Sequence, residues 1–296
     1  MESSRPQRRF VITGGNSGLG LETARKLAAA SPWNTVILAC RDMRKGAEAQ
    51  RAITEATGNS RALVMHLDLS SLDSVREFSA QLQGPIDALV CNAGIASGPT
   101  ETADGYDTVF ETNHLGHFLL VSLLADRMSA DGRVLSVSSD MHRPPGPKLR
   151  WPGADALARP PLSSAVRRQR YSYSKLCNLY FSYELSRRLR ETESGVVAVA
   201  FNPGLMTDTN FATMPRAVAF VMQRVFASRL GNLESSSRAL ADLASTVDGA
   251  LLDGHYFDRT ASAPTRSSAL SYSVPNARDL WQVSERLVES SVRPRD

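Results

Sequence analysis

At 296 residues, with 42% hydrophobic and 22% charged residues, the chain has the composition of a globular protein able to bury a large core. A formal net charge of +4 gives no basis for nucleic-acid binding; the arginines near the ends (Arg5, Arg8, Arg9, Arg293, Arg295) and at Arg167, Arg168 and Arg170 read as solvated surface. Cys40, Cys91 and Cys177 are widely separated and unpaired in spacing, which excludes a disulfide framework or cysteine metal site and suits a reducing compartment. No apolar run is long enough to cross a bilayer and the N-terminus MESSRPQRRF lacks a signal-peptide core, so a cytoplasmic location is expected.

In chain order, apolar β-branched runs alternate with helix-period stretches. RFVIT (Arg9 to Thr13), TVILAC (Thr35 to Cys40), ALVMHL (Ala62 to Leu67), DALVCN (Asp87 to Asn92), RVLSVS (Arg133 to Ser138), VVAVAF (Val196 to Phe201) and HYF (His255 to Phe257) read as strands. LETARKLAAA and SLDSVREFSAQL read as amphipathic helices between them. Almost continuously apolar strands in a βαβ alternation predict a single-domain α/β Rossmann fold spanning 1–296: a doubly wound parallel sheet of about seven strands with helices on both faces. Two segments break the rhythm, 140–170 with RPPGPKLRWPG and ARPP, and 202–230 after an Asn-Pro-Gly turn. Both follow strand carboxyl ends, where open α/β sheets bind ligands, and both are candidate substrate loops. Their apolar residues (Leu149, Trp151, Leu157, Phe211, Met214, Phe220, Val221, Phe226) fit a bulky apolar ligand or a loop closed over the core. AVAFVM (Ala217 to Met222) reads as a lid, a dimer surface or a weak membrane contact, and leaves the oligomeric state open.

The first strand runs into TGGNSGLG, with Gly14, Gly18 and Gly20 spaced for a dinucleotide-binding turn that also includes Asn16, Ser17 and Leu19. Glycines let the backbone approach a pyrophosphate, and the helix N-terminus that follows presents free N–H groups to it. The alternative is a glycine-rich turn with no ligand. At the end of strand two, Arg41 precedes Asp42; an arginine here accommodates a 2′-phosphate, which favours NADP(H), while Asp42 either takes the ribose or caps the next helix. Asp68 and Leu69 end strand three and Asn92, Ala93 and Gly94 end strand four, lining the same crevice.

YSYSKLCN, from Tyr171 to Asn178, places Tyr171 one helical turn before Lys175 on the same face and points Tyr173 elsewhere, toward substrate or into packing. A nearby ammonium lowers a phenol's pKa from ~10, which makes Tyr171 a usable proton donor. His114 and His117 lack a third ligand and are read as helix packing and capping, with no metal site expected. Cys177 lies well round the helix, by default a small buried residue.

Taken together, TGGNSGLG, CNAG, the Asn of TNHLGH, the serines of LSVSS, YSYSK and NPG resemble the short-chain dehydrogenase/reductase family, in that family's order and over nearly the whole chain. The resemblance implies that Tyr171 is the acid/base, that Lys175 lowers its pKa and holds the nicotinamide ribose, that Ser139 rather than Ser138 bonds the substrate oxygen, and that Asn113 holds a water in a proton relay. It also implies that Pro203, Gly204 and Thr207 contact the nicotinamide side of NADP(H); helical phase and the apolar loop add Tyr173, Phe211 and Phe220 to Ser139 as expected substrate contacts. Within the family, PWNTVILACRDMRKG, VMHLDLSSLDSVREF, TNHLGHFLL, SKLCN and LWQVSERLV are similar to light-dependent protochlorophyllide oxidoreductases, and several are shared with retinol-dehydrogenase-like members. The similarity to the pigment enzymes gives Cys177 a possible substrate-side role. A shorter 140–170 loop and YSYSK in place of YKDSK depart from the pigment enzymes. The implied activity is hydride transfer to a bulky apolar carbonyl or polarised C=C; the alternatives are a light-dependent protochlorophyllide reductase and a non-catalytic NADP(H)-binding redox sensor, which would not need the Asn–Ser–Tyr–Lys set.

Overall fold

A computed structural model describes residues 7–146, 148–192, 194–204 and 231–291. Seven strands, β1 (Arg9–Thr13), β2 (Thr35–Cys40), β3 (Ala62–His66), β4 (Ile86–Cys91), β5 (Met128–Val137), β6 (Val197–Asn202) and β7 (Tyr256–Asp258), form one sheet of order β3-β2-β1-β4-β5-β6-β7. Every pairing is parallel. Alternate side chains on each strand enter separate cores, as a strand's period of two requires. Val11, Ile37, Leu89 and Val134 pack on one face against α3 (Leu72–Gln81), α5 (Gly116–Leu124), α7 (Ser164–Glu191) and α9 (Val274–Ser290). Phe10, Ile12, Leu38, Val90, Leu135 and Phe201 pack on the other against α1 (Gly18–Ala30), α2 (Met43–Thr57) and α8 (Leu233–Ser245).

Helix starts follow local chemistry. The side chains of Asp42, Ser71, Ser163 and Asn232 each accept a backbone N–H in the first turn of α2, α3, α7 and α8, and Gly58, at φ 69°, ends α2 in the left-handed conformation. The short α4 (Thr108–Phe110) runs through a wide π turn (Glu111–Leu115) into α5. β5 begins earlier than its apolar pattern suggests, because a register shift between Ile86 and Ala88 lets Met128 join the ladder through backbone alone.

The 140–170 segment carries more helix than its Pro and Gly content suggests. Capped by Ser163, α7 already begins at Ser164, and a short α6 (Ala154–Ala158) interrupts the loop. Of the two alternatives for the segment's apolar residues, the structure takes the loop closed over the core: Leu149 and Leu157 are buried there, and Trp151 packs edge-on to Tyr180 at 5.1 Å while its Nε1–H donates to Asp279 Oδ2 of α9 at 2.7 Å. Burying these apolar side chains closes the loop over α7 and α9. Phe211, Met214, Ala217 to Met222 and Phe226 lie outside the described residues.

Candidate active site

The strand order reverses between β1 and β4, the position where a doubly wound sheet opens a crevice at its carboxyl edge. The β1–α1 turn sits there. Gly14 and Gly18 have φ of 65° and 51°, a region that side chains rarely adopt. Gly20 is required for a different reason: a Cβ there would lie 2.5 Å from Gly14 O and 2.6 Å from Asn92 Nδ2. Ser17 begins α1 without a side-chain capping bond, so the first-turn N–H groups remain suited to a phosphate, and this glycine cradle fits a dinucleotide. Asn92 and Ala93 are held to β1 by Thr13, whose Oγ1 accepts both of their N–H groups at 2.9 Å, while Asn92 Nδ2 donates to Thr13 O at 2.8 Å. Arg41 extends from the end of β2 with its side chain 73% exposed, Nη1 lying 4.0 Å from Asp68 Oδ2. Asp42 is the helix cap of the two alternatives, accepting from Lys45 N at 3.0 Å. Asp68 Oδ1 accepts from Ser70 N and Oγ, shaping the β3 loop, and Leu69 is buried.

On α7, Tyr171 and Lys175 share a face, with Lys175 Nζ 5.7 Å from the Tyr171 ring centroid. Ser139, at the carboxyl end of β5, hydrogen-bonds the Tyr171 phenol. Ser138 cannot play that part, because its hydroxyl donates to Lys175 O at 2.9 Å. Lys175 Nζ donates to Val137 O at 3.2 Å. Asn113, inside the π turn, reaches across to the same place. Its Oδ1 accepts from Ile95 N at 2.7 Å and its Nδ2 donates to Ile95 O and Ser174 Oγ, each at 2.9 Å. Gly94 lies between them: a Cβ there would stand 3.1 Å from Asn113 Oδ1 and 3.3 Å from Lys175 Nζ. Desolvation pushes Tyr171 up to about 12, against the opposing pull of its bond to Ser139, and pushes Lys175 down to about 8. The phenol therefore stands above its ordinary value rather than below it, because loss of water around it outweighs the bond to Ser139.

This site belongs to a recognisable lineage. Residues 8–150 match the model of the short chain dehydrogenases. The chain is 36% identical over 289 residues to retinol dehydrogenase 12 of Mus musculus, covering 96% of this chain and 87% of the relative. The chain belongs to the short-chain dehydrogenase/reductase family. Within it, WW domain-containing oxidoreductase of Danio rerio is 35% identical over 297 residues (96% of this chain, 69% of the relative). Protochlorophyllide reductase A, chloroplastic, of Oryza sativa subsp. japonica is 34% identical over 314 residues (94% and 80%). A crystal structure of an uncharacterized protein from Mycobacterium Paratuberculosis is 34% identical, with a TM-score of 0.74 over 96% of this chain and 94% of that one. Members of this family act as oxidoreductases with a nicotinamide cofactor.

Not every residue assigned to this short-chain dehydrogenase's site from its sequence reaches it. Tyr173 is buried and its hydroxyl donates to Arg150 O at 2.9 Å, so it secures the 140–170 loop instead of facing substrate. Cys177 is fully buried in the core, with Asp279 of α9 the charge that bears on it, and burial drives its thiol far up; a substrate-side role does not fit. Asn113 has its amide engaged by Ile95 and Ser174, which makes it a strut across the crevice. Pro203 and Gly204 are fixed at the end of β6, Pro203 O by Ser236 Oγ at 2.8 Å and Gly204 N by Asn202 Oδ1 at 3.0 Å. Thr207, Phe211 and Phe220 lie outside the described residues. Among the described residues no group of three His, Cys, Asp or Glu could hold a metal, and no helix is long and apolar enough to cross a membrane.

His117, expected to pack or cap, also braces Asn113. Its Nδ1 lies 3.1 Å from Asn113 O and its Nε2 2.8 Å from Thr13 Oγ1. Because a carbonyl only accepts, Nδ1 carries the proton and Thr13 donates to Nε2. Burial pushes this ring down to about 4, so it stays neutral and ties Asn113 to β1. Its position one helical turn after Asn113 was the available signal. His114 instead bonds Ser284 Oγ at 2.8 Å among Phe110, Phe118 and Phe181.

Proposed function

We propose that this short-chain dehydrogenase is an NADP(H)-dependent oxidoreductase that reduces a bulky apolar carbonyl or polarised C=C, with Tyr171 as proton donor. The observation that carries the reading is the convergence of Tyr171, Ser139 and Lys175 at the carboxyl end of β5, beside Gly94 and behind the glycine turn. When bound, the nicotinamide supplies the hydride. The protein's part is to place and protonate. The Ser139 hydroxyl donates to the substrate oxygen and Tyr171 delivers its proton as negative charge develops there, a role for which a phenol held protonated near neutral pH is suited. Lys175 brings a cation beneath the phenol and a donor toward the ribose, and Asn113 keeps the Gly94–Ile95 segment against α7. Arg41 receives the 2′-phosphate that distinguishes NADP(H). A set so complete is more than a redox sensor requires.

The substrate class is supported by the relatives, named for retinol and for protochlorophyllide. The light-dependent pigment reductase is the second reading, favoured by the similarity through the nucleotide half and the tail. One experiment separates the three readings: incubate the enzyme with NADPH and either a long-chain apolar aldehyde or protochlorophyllide, and follow absorbance in darkness and after illumination. NADPH consumed in the dark with the aldehyde is the expected result. Chlorophyllide formed only in light would replace it with the pigment reading, and NADPH binding with no turnover of either would leave the sensor.

A further inference from the structure

His142 has no part in the chemistry above, yet it is bonded to the residue that does. It closes the 3₁₀ turn Asp140–His142 directly after Ser139 and is 1% exposed. Its Nδ1 lies 2.6 Å from Ser139 O, and the backbone N–H of Ser268 donates to its Nε2 at 3.1 Å. A carbonyl can only accept and an amide N–H can only donate. Both bonds therefore require one neutral tautomer, with the proton on Nδ1 and a bare Nε2.

The segment that supplies Ser268 is itself anchored to α7. Tyr183 Oη and Ser267 Oγ are 2.7 Å apart, Ser267 Oγ and Ser271 Oγ 2.6 Å, and Ser267 N donates to Tyr272 Oη at 3.0 Å. A continuous strut thus runs from α7 through Tyr183, Ser267, Ser268 and His142 to Ser139. The helix that carries Tyr171 also fixes the height of Ser139. The imidazole stands edge-on to Tyr256 of β7, with ring centroids 5.7 Å apart at 71°, which leaves it little freedom to turn.

We propose that His142 is the positioning residue for Ser139, holding it through the Nδ1-protonated tautomer and the Ser268 anchor so that the serine hydroxyl stays in register with Tyr171. This rests on the reading that Ser139 bonds the substrate oxygen. A second proton on the ring would set Nε2–H against Ser268 N–H and break the strut. Asp140 and Arg143 on its own turn and Asp258 at the end of β7 bear on that proton, with Tyr256 and Tyr183 neutral close by. Burial and Arg143 push titration below the ordinary histidine range, while the bond to Ser139 O and the two carboxylates oppose them. The strut is intact at neutral pH and fails in acid.

The test uses His142→Phe, which keeps a ring against Tyr256 but makes neither bond, and His142→Asn, which can still donate to Ser139 O. Turnover of an apolar aldehyde should fall by ~10-fold to ~100-fold in His142→Phe, a loss of the size that small misplacement of a reacting group produces, with the NADPH Kd unchanged. His142→Asn should recover part of the loss, and the acid limb of the wild-type pH profile should disappear in both variants. In a Ser139→Ala background His142→Phe should cost nothing more, because the residue it positions is gone; a full additional loss would show a general structural role and overturn the proposal. Ser139→Ala with normal turnover would instead sink the reading of Ser139 as the oxygen's partner. Independently of activity, nitrogen NMR of histidine-labelled protein should show two Nδ1-protonated rings, His117 and His142, of which only the second vanishes in His142→Phe. If the ring signal lost in His142→Phe were instead Nε2-protonated or doubly protonated at neutral pH, the strut would be refuted.

Discussion

Replacing Arg41 by Ala removes the cation assigned to the adenosine 2′-phosphate. Its side chain is 73% exposed and meets Asp68 only at 4.0 Å. An ion pair so loose and so open to water is worth ~0 to 1 kcal/mol, so the guanidinium loses little by turning to a phosphate. Asp42 is the acidic residue that would favour a free ribose hydroxyl, and it is committed to Lys45 N at the start of α2. A charge-assisted hydrogen bond to phosphate contributes ~1.5 to 3 kcal/mol, and exposure places Arg41 at the lower end, roughly a 10-fold preference. Fluorescence titration of NADPH and NADH against wild type and Arg41→Ala measures it. NADPH should weaken by about tenfold, NADH should not move, and the wild-type preference should shrink as salt rises. An NADPH-to-NADH ratio that is the same before and after the substitution would refute the reasoning.

Gly20→Ala should abolish nucleotide binding and lower stability by ~1 to 3 kcal/mol, because its Cβ would stand 2.5 Å from a carbonyl oxygen of the same turn; a variant with wild-type NADPH affinity and melting temperature would contradict this. Ser138→Ala and Ser139→Ala should separate stability from chemistry. Ser138→Ala removes a second hydrogen bond to Lys175 O, a carbonyl inside α7, and should cost ~0.5 to 1.5 kcal/mol in denaturant unfolding, whereas Ser139→Ala should chiefly lower turnover, and the reverse pattern would exchange their roles. Glu111 in the π turn is fully buried and raised from 4.5 to about 8, by desolvation first and then by its bond to Asp104, so the folded protein keeps a proton that the unfolded chain releases between those values. Its contribution therefore falls as pH rises through that window, by on the order of 3 to 5 kcal/mol in full. Glu111→Gln should flatten the pH dependence of the unfolding midpoint, and an unchanged slope would exclude Glu111 as its source.

The sheet was legible because its residues carry a single message. Apolar residues run unbroken through the centres of β1 (Phe10–Ile12), β2 (Val36–Cys40) and β4 (Ala88–Cys91), which leaves only a two-sided parallel sheet as an outcome. The glycine turn was legible for a related reason, since a positive φ at Gly14 and Gly18 and the contact at Gly20 admit almost no other residue. Helical phase alone separated Tyr171 from Tyr173, and the bond from Tyr173 to Arg150 O agrees with it. Phase could not say what surrounds a side chain. The sequence places a lysine beside a phenol but contains no measure of how much water is lost around both, and so the direction of the Tyr171 shift was misjudged. Nor do Leu149, Trp151 and Leu157 announce whether they face a ligand or a helix. That depends on Asp279, far along the chain, which receives the Trp151 indole. His142 escaped notice because its partners are backbone atoms, Ser139 O and Ser268 N, which no side-chain motif encodes.

The central claim is that Tyr171 donates the proton that accompanies hydride transfer. Single-turnover oxidation of NADPH by an apolar aldehyde, followed in wild type, Tyr171→Phe and Tyr173→Phe, tests it most directly. Tyr171→Phe should bind NADPH as tightly as wild type yet lose roughly 10²-fold or more in rate, as expected when a general acid is removed. Tyr173→Phe, deprived only of a bond to Arg150 O, should retain most of the rate and give up some stability. Equal losses in the two variants, or a larger one at Tyr173, would contradict the account.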